Sequence, residues 1–299
     1  MKHAYLIIAH SQWQLLETLM SLLDYPNNYI FIHIDKKSKG ISKNLVNICT
    51  RATVNIYSEF KVYWGGYSQI QVELFLLDKA TKVECDYYHL LSGQDLPIKT
   101  HEQIDGFFEK NFGKEFVEVS GKPVVASYKN EFWRRTALFH FFQNYRRRYR
   151  VKILNQIFTF IERQFLLAQI FLKVNRIKGL NEKLYLGSNW FSISHNFALV
   201  ILEKRDWIVK IFKWSNCGDE LFCQTILMNS DYKDKLYTEN DEAKNMRLID
   251  WSRAKNGNPW VLTYDDLDMI NESNCLFARK FSYDVDKNII YKIIEKLKK

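Results

Sequence analysis

Along the first third of the chain, short runs of unbroken apolar residues alternate with longer stretches whose apolar positions recur every three or four residues. Ala4-Tyr5-Leu6-Ile7-Ile8-Ala9-His10 lacks the polar alternation of a half-exposed strand, which predicts a strand buried on both faces. Residues 13–23 then carry a helical stripe. Residues 29–34 predict a second strand, closing on Asp35, and 42–49 a weak helix. A strand over 53–57, a helix over 68–82 and a strand over 87–91 follow. Strands alternating with helices predict an α/β fold, with a mostly parallel central sheet flanked by helices. Ligands in such sheets sit outside the carboxyl ends of the strands, so residues there are the first candidates for function.

The pattern changes at 140–178. Arg146, Arg147, Arg148, Arg150 and Lys152 cluster ahead of an apolar stretch interrupted by Glu162 and Arg163, and Lys173, Arg176 and Lys178 close it. This predicts a basic, amphipathic helical excursion. Beyond it come a strand at 190–194, helices over 196–203 and 220–228, and a basic C-terminal helix over 287–299. Only 4 Pro and 11 Gly in 299 residues argue against long linkers, and no internal repeat is visible. One domain is expected over 1–299, with a nucleotide-binding half at 1–120 and an acceptor and catalytic half at 180–299.

The formal net charge of +9 favours an anionic partner: a phosphorylated small molecule, an acidic lipid or a nucleic acid. Nucleic acid is disfavoured, because the basic residues gather beside an apolar helix rather than along an aromatic-studded strand surface. The 15% aromatic content offers flat faces for sugar rings and bases, although most such rings fill cores. Five cysteines, odd in number and without a C-x-x-C pair, predict free thiols in a reducing compartment. No signal-peptide pattern precedes the first strand, and no apolar stretch is long and charge-free enough to span a bilayer. The expectation is a cytoplasmic protein, peripheral at the inner face of an anionic membrane.

Four segments could carry chemistry. Asp35, at a strand end, could accept the imide N–H of uracil or simply form a turn. In Ser92-Gly93-Gln94-Asp95-Leu96-Pro97, Gly93 permits close backbone approach and Pro97 fixes the turn, which suits donor phosphates or sugar. In Gly218-Asp219-Glu220 at a predicted helix start, Glu220 is placed to act as a base or merely to cap. Asp266-Leu267-Asp268 matches a metal-binding Asp-x-Asp. The Arg279-Lys280 pair could instead hold a leaving diphosphate with fixed cations, or face solvent.

In order and spacing these segments resemble the core-2/I-branching β-1,6-N-acetylglucosaminyltransferase family, which also includes peptide xylosyltransferases. The resemblance runs from Ala4 to about Asp286. It rests on the first strand ending in His10, Ile32-His33-Ile34-Asp35, Trp64-Gly65-Gly66 and Leu91-Ser92-Gly93-Gln94-Asp95-Leu96-Pro97-Ile98. Gly187-Ser188-Asn189-Trp190-Phe191, Asp219-Glu220, Asp250-Trp251 and Phe277-Ala278-Arg279-Lys280-Phe281 complete it. The resemblance implies a GT-A-like fold and an inverting transferase that needs no metal. Glu220 would be the base. His10, Asp35, Gly93, Asp95, Arg253, Arg279 and Lys280 would bind a UDP-sugar, by family default UDP-GlcNAc. Glu118, Trp190 and Trp251 would bind a glycan or lipid-linked saccharide acceptor in capsule or lipopolysaccharide synthesis. The alternatives are a metal-dependent transferase using Asp266 and Asp268, and a carbohydrate-binding protein without catalysis.

Overall fold

The computed structural model describes residues 1–41, 45–145, 152–239, 243–255 and 257–298. Arg146, Arg147, Arg148 and Arg150 of the basic cluster lie outside them, as do 42–44 of the weak helix, whose remainder is a short 3-10 turn at Leu45–Asn47. In chain order the first half comprises β1 (His3–Ala9), α1 (Trp13–Leu22), β2 (Asn28–Ile34), β3 (Thr53–Tyr57), α2 (Ser68–Ala80), β4 (Tyr87–Ser92), β5 (Asp95–Pro97), α3 (His101–Lys110) and β6 (Phe116–Val119). The second half comprises α4 (Glu131–Ala137), α5 (Lys152–Phe171), β7 (Gly187–Ser194), α6 (His195–Glu203), α7 (Arg205–Phe212) and α8 (Phe222–Met228). It ends with β8 (Arg247–Ile249), α9 (Leu267–Glu272), β9 (Phe277–Arg279) and α10 (Lys287–Leu297).

The main sheet has the order β3-β2-β1-β4-β7-β6. The first four strands are mutually parallel, and β7 runs antiparallel to both β4 and β6. Strand β1 is buried on both faces. Ala4 and Leu6 enter a core shared with α2, α6 and α8, whereas Tyr5, Ile7 and Ala9 enter one shared with α1 and α10. That double burial accounts for the unbroken apolar run in its sequence. Because β1, β2 and β4 are parallel, their carboxyl ends deliver His10, Asp35 and Ser92 to the same edge. The chain leaves β1 for β2 on one side and finds β4 on the other, the crossing-over point at which open α/β sheets leave a crevice.

The helix predicted from Glu220 begins instead at Phe222; Gly218–Glu220 is a 3-10 turn, entered through Cys217 at φ 49°. Glu220 therefore precedes the α-helix and does not cap it. Four of the five cysteines are buried and Cys49 is partly so.

A second, three-stranded sheet, β5-β9-β8, lies against the main one. Arg247 of β8, only 2% exposed, joins the two. Its guanidinium donates to the Ser192 hydroxyl (2.8 Å), to the Phe191 carbonyl (2.6 Å) and to the Leu90 carbonyl (3.3 Å), and also to Asn245 O. An arginine can only donate, so Ser192 accepts from it and passes its own proton to His89 Nδ1 at 2.7 Å. His89 must then carry its hydrogen on Nε2 and donate to His3 Nδ1 (2.8 Å), and His3 Nε2 donates to Asp105 Oδ1 (2.7 Å). One direction of donation thus runs through β8, β7, β4 and β1 to a carboxylate on α3. Burial, together with the His3 ring and Arg247, holds His89 far below its ordinary pKa, which agrees with a neutral ring.

Replacing Arg247 by Lys keeps the charge but removes the fork. It is expected to cost about 2–3 kcal/mol in urea denaturation, through carbonyls left without donors. An unchanged midpoint would show that charge alone joins the sheets.

Candidate functional site

A cleft of about 500 Å³ opens at the carboxyl ends of β1, β2 and β4, a size suited to a small-molecule ligand. The strand ends supply His10, Asp35, Ser92 and Gln94, and β7 supplies Asn189 and Trp190. Asp219 and Glu220 enter from the 3-10 turn before α8, and Arg279 and Lys280 from the end of β9. Trp251 and residues 257–259 form part of the rim.

Asp35 is held by its own surroundings. Its Oδ1 accepts the backbone N–H groups of Lys37 (3.0 Å) and Val62 (3.3 Å), and Lys37 Nζ lies 3.3 Å from Oδ2. A carboxylate has about four acceptor sites, so at least one remains for a ligand. His10 beside it retains solvent contact. Crowding of its ring by the cleft walls lowers its pKa, Lys37, Lys280 and Arg279 add to this, and Asp35 opposes it. The ring is therefore neutral at neutral pH.

The cationic wall is built by β9. Arg279 stacks its guanidinium 4.0 Å from the Trp190 ring centroid, and its Nη1 approaches Asp95 Oδ1 at 3.6 Å without a hydrogen-bond partner. Lys280 has no carboxylate at ion-pairing distance among the described residues. Its pKa is pushed down by burial and by Arg279, the expected state of two cations crowded together and short of counter-charge. An anion entering here would relieve both.

The opposite wall is acidic. Glu220 Oε2 accepts from Arg135 Nη1 of α4 at 2.7 Å, and Arg135 also pairs with Glu131 (3.5 Å) and lies over the Phe132 ring (4.9 Å). Among the described residues Glu220 Oε1 takes no hydrogen bond. Asp219, 5% exposed, accepts from Gln69 (2.9 Å) through one oxygen, while its other oxygen has no partner. Burial and the Glu220 charge raise its pKa to about 7. Glu73 of α2, 1% exposed, is raised well above the carboxylate range by burial and by Asp219. Both carboxyls are thus driven toward the protonated form, and Asp219 is partly protonated at neutral pH.

The structure therefore brings together seven of the residues singled out from the sequence: His10, Asp35, Trp190, Glu220, Trp251, Arg279 and Lys280. Trp190 differs from the expectation of an open acceptor platform, since one face of its ring carries Arg279. Trp251, 58% exposed, is the freer aromatic face. Four others stand outside the lining. Gly93 packs beneath it, where a Cβ would meet that of Ala9 at 3.1 Å. Asp95 accepts from the Ser92 backbone N–H (2.9 Å) and hydroxyl (2.7 Å), and so holds the loop beside Arg279. Arg253 pairs with Asp250 and with Asp266 (2.7 Å), and Glu118 accepts the Lys244 N–H (2.9 Å). Asp266 and Asp268 also lie outside the cleft lining, and Asp266 further accepts from Thr263 and Trp260. Arg135, Glu73 and Gln69 were not anticipated. Each acts on a partner from a distant segment, and no local pattern marks it.

The model of a family described as Core-2/I-Branching enzyme matches residues 3–270. The chain is 22% identical over 317 residues to the human β-1,3-galactosyl-O-glycosyl-glycoprotein β-1,6-N-acetylglucosaminyltransferase, covering 95% of this chain and 66% of that protein. It is also 22% identical to xylosyltransferase 2 of Canis lupus familiaris, over 84% of this chain and 26% of that one. The chain thus spans less than two thirds of the length of either relative. The solved apo structure of mouse xyloside xylosyltransferase 1 aligns with a TM-score of 0.39 at 12% identity, over 93% of this chain and 96% of that one.

Asp219 binds its proton more tightly when folded than unfolded. The stability it contributes is complete below about pH 4 and is lost as pH rises through about 7. Asp219→Asn should therefore show a shallower fall of Tm between pH 5 and 8 than the wild type; parallel slopes would refute the assignment.

Proposed function

The chain belongs to the core-2/I-branching enzyme family of glycosyltransferases, and from that premise we propose an inverting, metal-independent transfer of a sugar from a UDP-sugar to a carbohydrate hydroxyl. The observation that carries this reading is the presence, in one cleft lining, of the Arg279-Lys280 pair, whose one ion partner among the described residues is Asp95, and a partly exposed Glu220 carboxylate. Asp35 and His10 hold the uridine at the strand ends, and the diphosphate lies against Lys280 and Arg279. The acceptor oxygen attacks the anomeric carbon from the face opposite the leaving group. As that bond forms, the bond from the anomeric carbon to the diphosphate oxygen breaks. Glu220 Oε1 takes the hydroxyl proton, and the new charge on UDP is neutralised by the β9 cations. Arg135 keeps the carboxylate in the orientation this requires.

Trp251 at the rim supports an acceptor sugar stacked on its exposed ring. UDP-GlcNAc is the donor we propose. The proposed acceptor is a glycan or lipid-linked saccharide of capsule or lipopolysaccharide synthesis, met on the cytoplasmic side of the membrane.

A thermal-shift screen of nucleotide-sugars, run with and without EDTA, should single out UDP-sugars and give the same shift in both conditions. Loss of binding and turnover in EDTA with recovery in manganese would replace the fixed-cation mechanism by a metal-dependent one. Glu220→Gln should lower kcat by about 10²–10⁴-fold with little change in KM for the donor. Lys280→Met should impair donor KM and kcat together, since the lost contact serves both the bound state and the transition state.

A further inference from the structure

Helix α5 has its polarity reversed relative to an ordinary surface helix. The face it turns to the body of the protein carries Glu162 and Gln169, which are two turns apart and 1% and 5% exposed. Glu162 accepts the Phe142 N–H (3.1 Å) and pairs with His140 Nδ1 (3.0 Å). Gln169 accepts the Phe139 N–H (2.8 Å) and donates to the Phe139 carbonyl (2.9 Å). The opposite face presents Ile153, Ile157, Phe160, Leu167 and Phe171 to solvent, with Phe160 62% and Phe171 85% exposed, and Ile161 and Phe165 lie on its flank. A helix packed only for its own stability would point these side chains inward. The apolar patch continues past the helix, since Phe165 contacts Phe141 (5.4 Å between ring centroids) and Phe141 contacts Trp214 (5.0 Å). A surface of this kind marks a site that something else covers.

Charge says what covers it. Residues 146–178 hold nine Lys and Arg against the single Glu162, so this stretch carries eight of the nine surplus positive charges of the chain. A second copy of the same face would set those charges against each other. A surface that is apolar below and anionic above satisfies both features. We propose that the outward face of α5 docks the protein flat onto a bilayer rich in anionic lipid, with Phe160 and Phe171 seated among the acyl chains and the exposed Arg163, Lys173 and Lys178 among the headgroups. No helix among the described residues is long and apolar enough to cross a membrane, which agrees with lying on it.

The geometry links docking to the cleft. Segment 139–145, to which α5 is bonded, also supplies Gln143 and Asn144 to the cleft lining. Docking would thus hold at the bilayer the segment that also lines the cleft, where a lipid-linked saccharide would present its sugar. That last consequence rests on the transferase reading, whereas the docking itself does not.

The test is cosedimentation of the full chain with phosphatidylglycerol–phosphatidylcholine vesicles and with phosphatidylcholine vesicles. Binding should require the anionic lipid and weaken as salt rises to about 0.5 M. Phe160→Glu with Phe171→Glu should weaken it at least tenfold, and Arg163→Glu several-fold. Circular dichroism and donor-induced thermal shifts should be unchanged, because these side chains face solvent. The proposal is overturned by equal pelleting with both vesicle types or with neither. It is equally overturned if the double variant binds like the wild type, or if the wild type proves dimeric by size exclusion and the double variant monomeric. Because donor shifts are read separately, failure here leaves the transferase reading standing, and the reverse.

Discussion

A buried guanidinium without a carboxylate at ion-pairing distance among the described residues holds this architecture together. Arg247 can keep its charge inside the protein only while the carbonyls of β4 and β7 and the Ser192 hydroxyl are all in place to receive it. Burial lowers its pKa to about 9, a measure of how much that environment asks of it. The constraint works in both directions. The strands accept from the two terminal nitrogens of Arg247, and the arginine fixes β8 against the main sheet. Because β9 pairs with β8 in register, with Ile249 opposite Arg279, the position of the cationic wall follows from that anchor.

Around the cleft the ordinary rules of satisfaction are suspended. Arg279 Nη1, Asp219 Oδ1 and Glu73 Oε2 are buried and lack hydrogen-bond partners. Polar atoms left open in a protein interior are costly, and these three belong to residues that line the cleft. The two walls differ in how their charge is handled. The carboxyls beneath Glu220 retain protons, which limits the negative charge there to what Arg135 can balance. Of the two cations at the end of β9, only Arg279 has an ion partner among the described residues, Asp95 at 3.6 Å. A field therefore runs across the opening, from a cationic wall awaiting an anion to a carboxylate positioned to take a proton.

The same division between anchoring and exposure appears at α5. There the polar contacts of Glu162 and Gln169 secure the helix, and its apolar side chains are left for an outside surface. Segment 139–145 lies between that surface and the cleft, so the two features of the molecule that favour anions share one structural support.

Much of this was legible in the sequence, for reasons that are local. β1 and β2 announce themselves because strands buried on both faces must be apolar at nearly every position. Asp35, Glu220 and Lys280 could be singled out because a strand end, a turn and a basic pair leave marks within a few residues. What the sequence could not disclose is pairing across distance. Arg135 reaches Glu220 over 85 positions and Arg247 reaches Leu90 over 157, and neither has a neighbour in the chain that betrays its partner. Gly93 and Asp95 read as a phosphate loop because close packing and ligand binding both call for a tight turn. Only the fold shows Ala9 against the one and Ser92 against the other. In α5 the periodicity revealed a stripe but not which way it faces. Residue spacing determines what a helix can present, whereas the direction in which it presents it depends on which distant groups its polar side chains find.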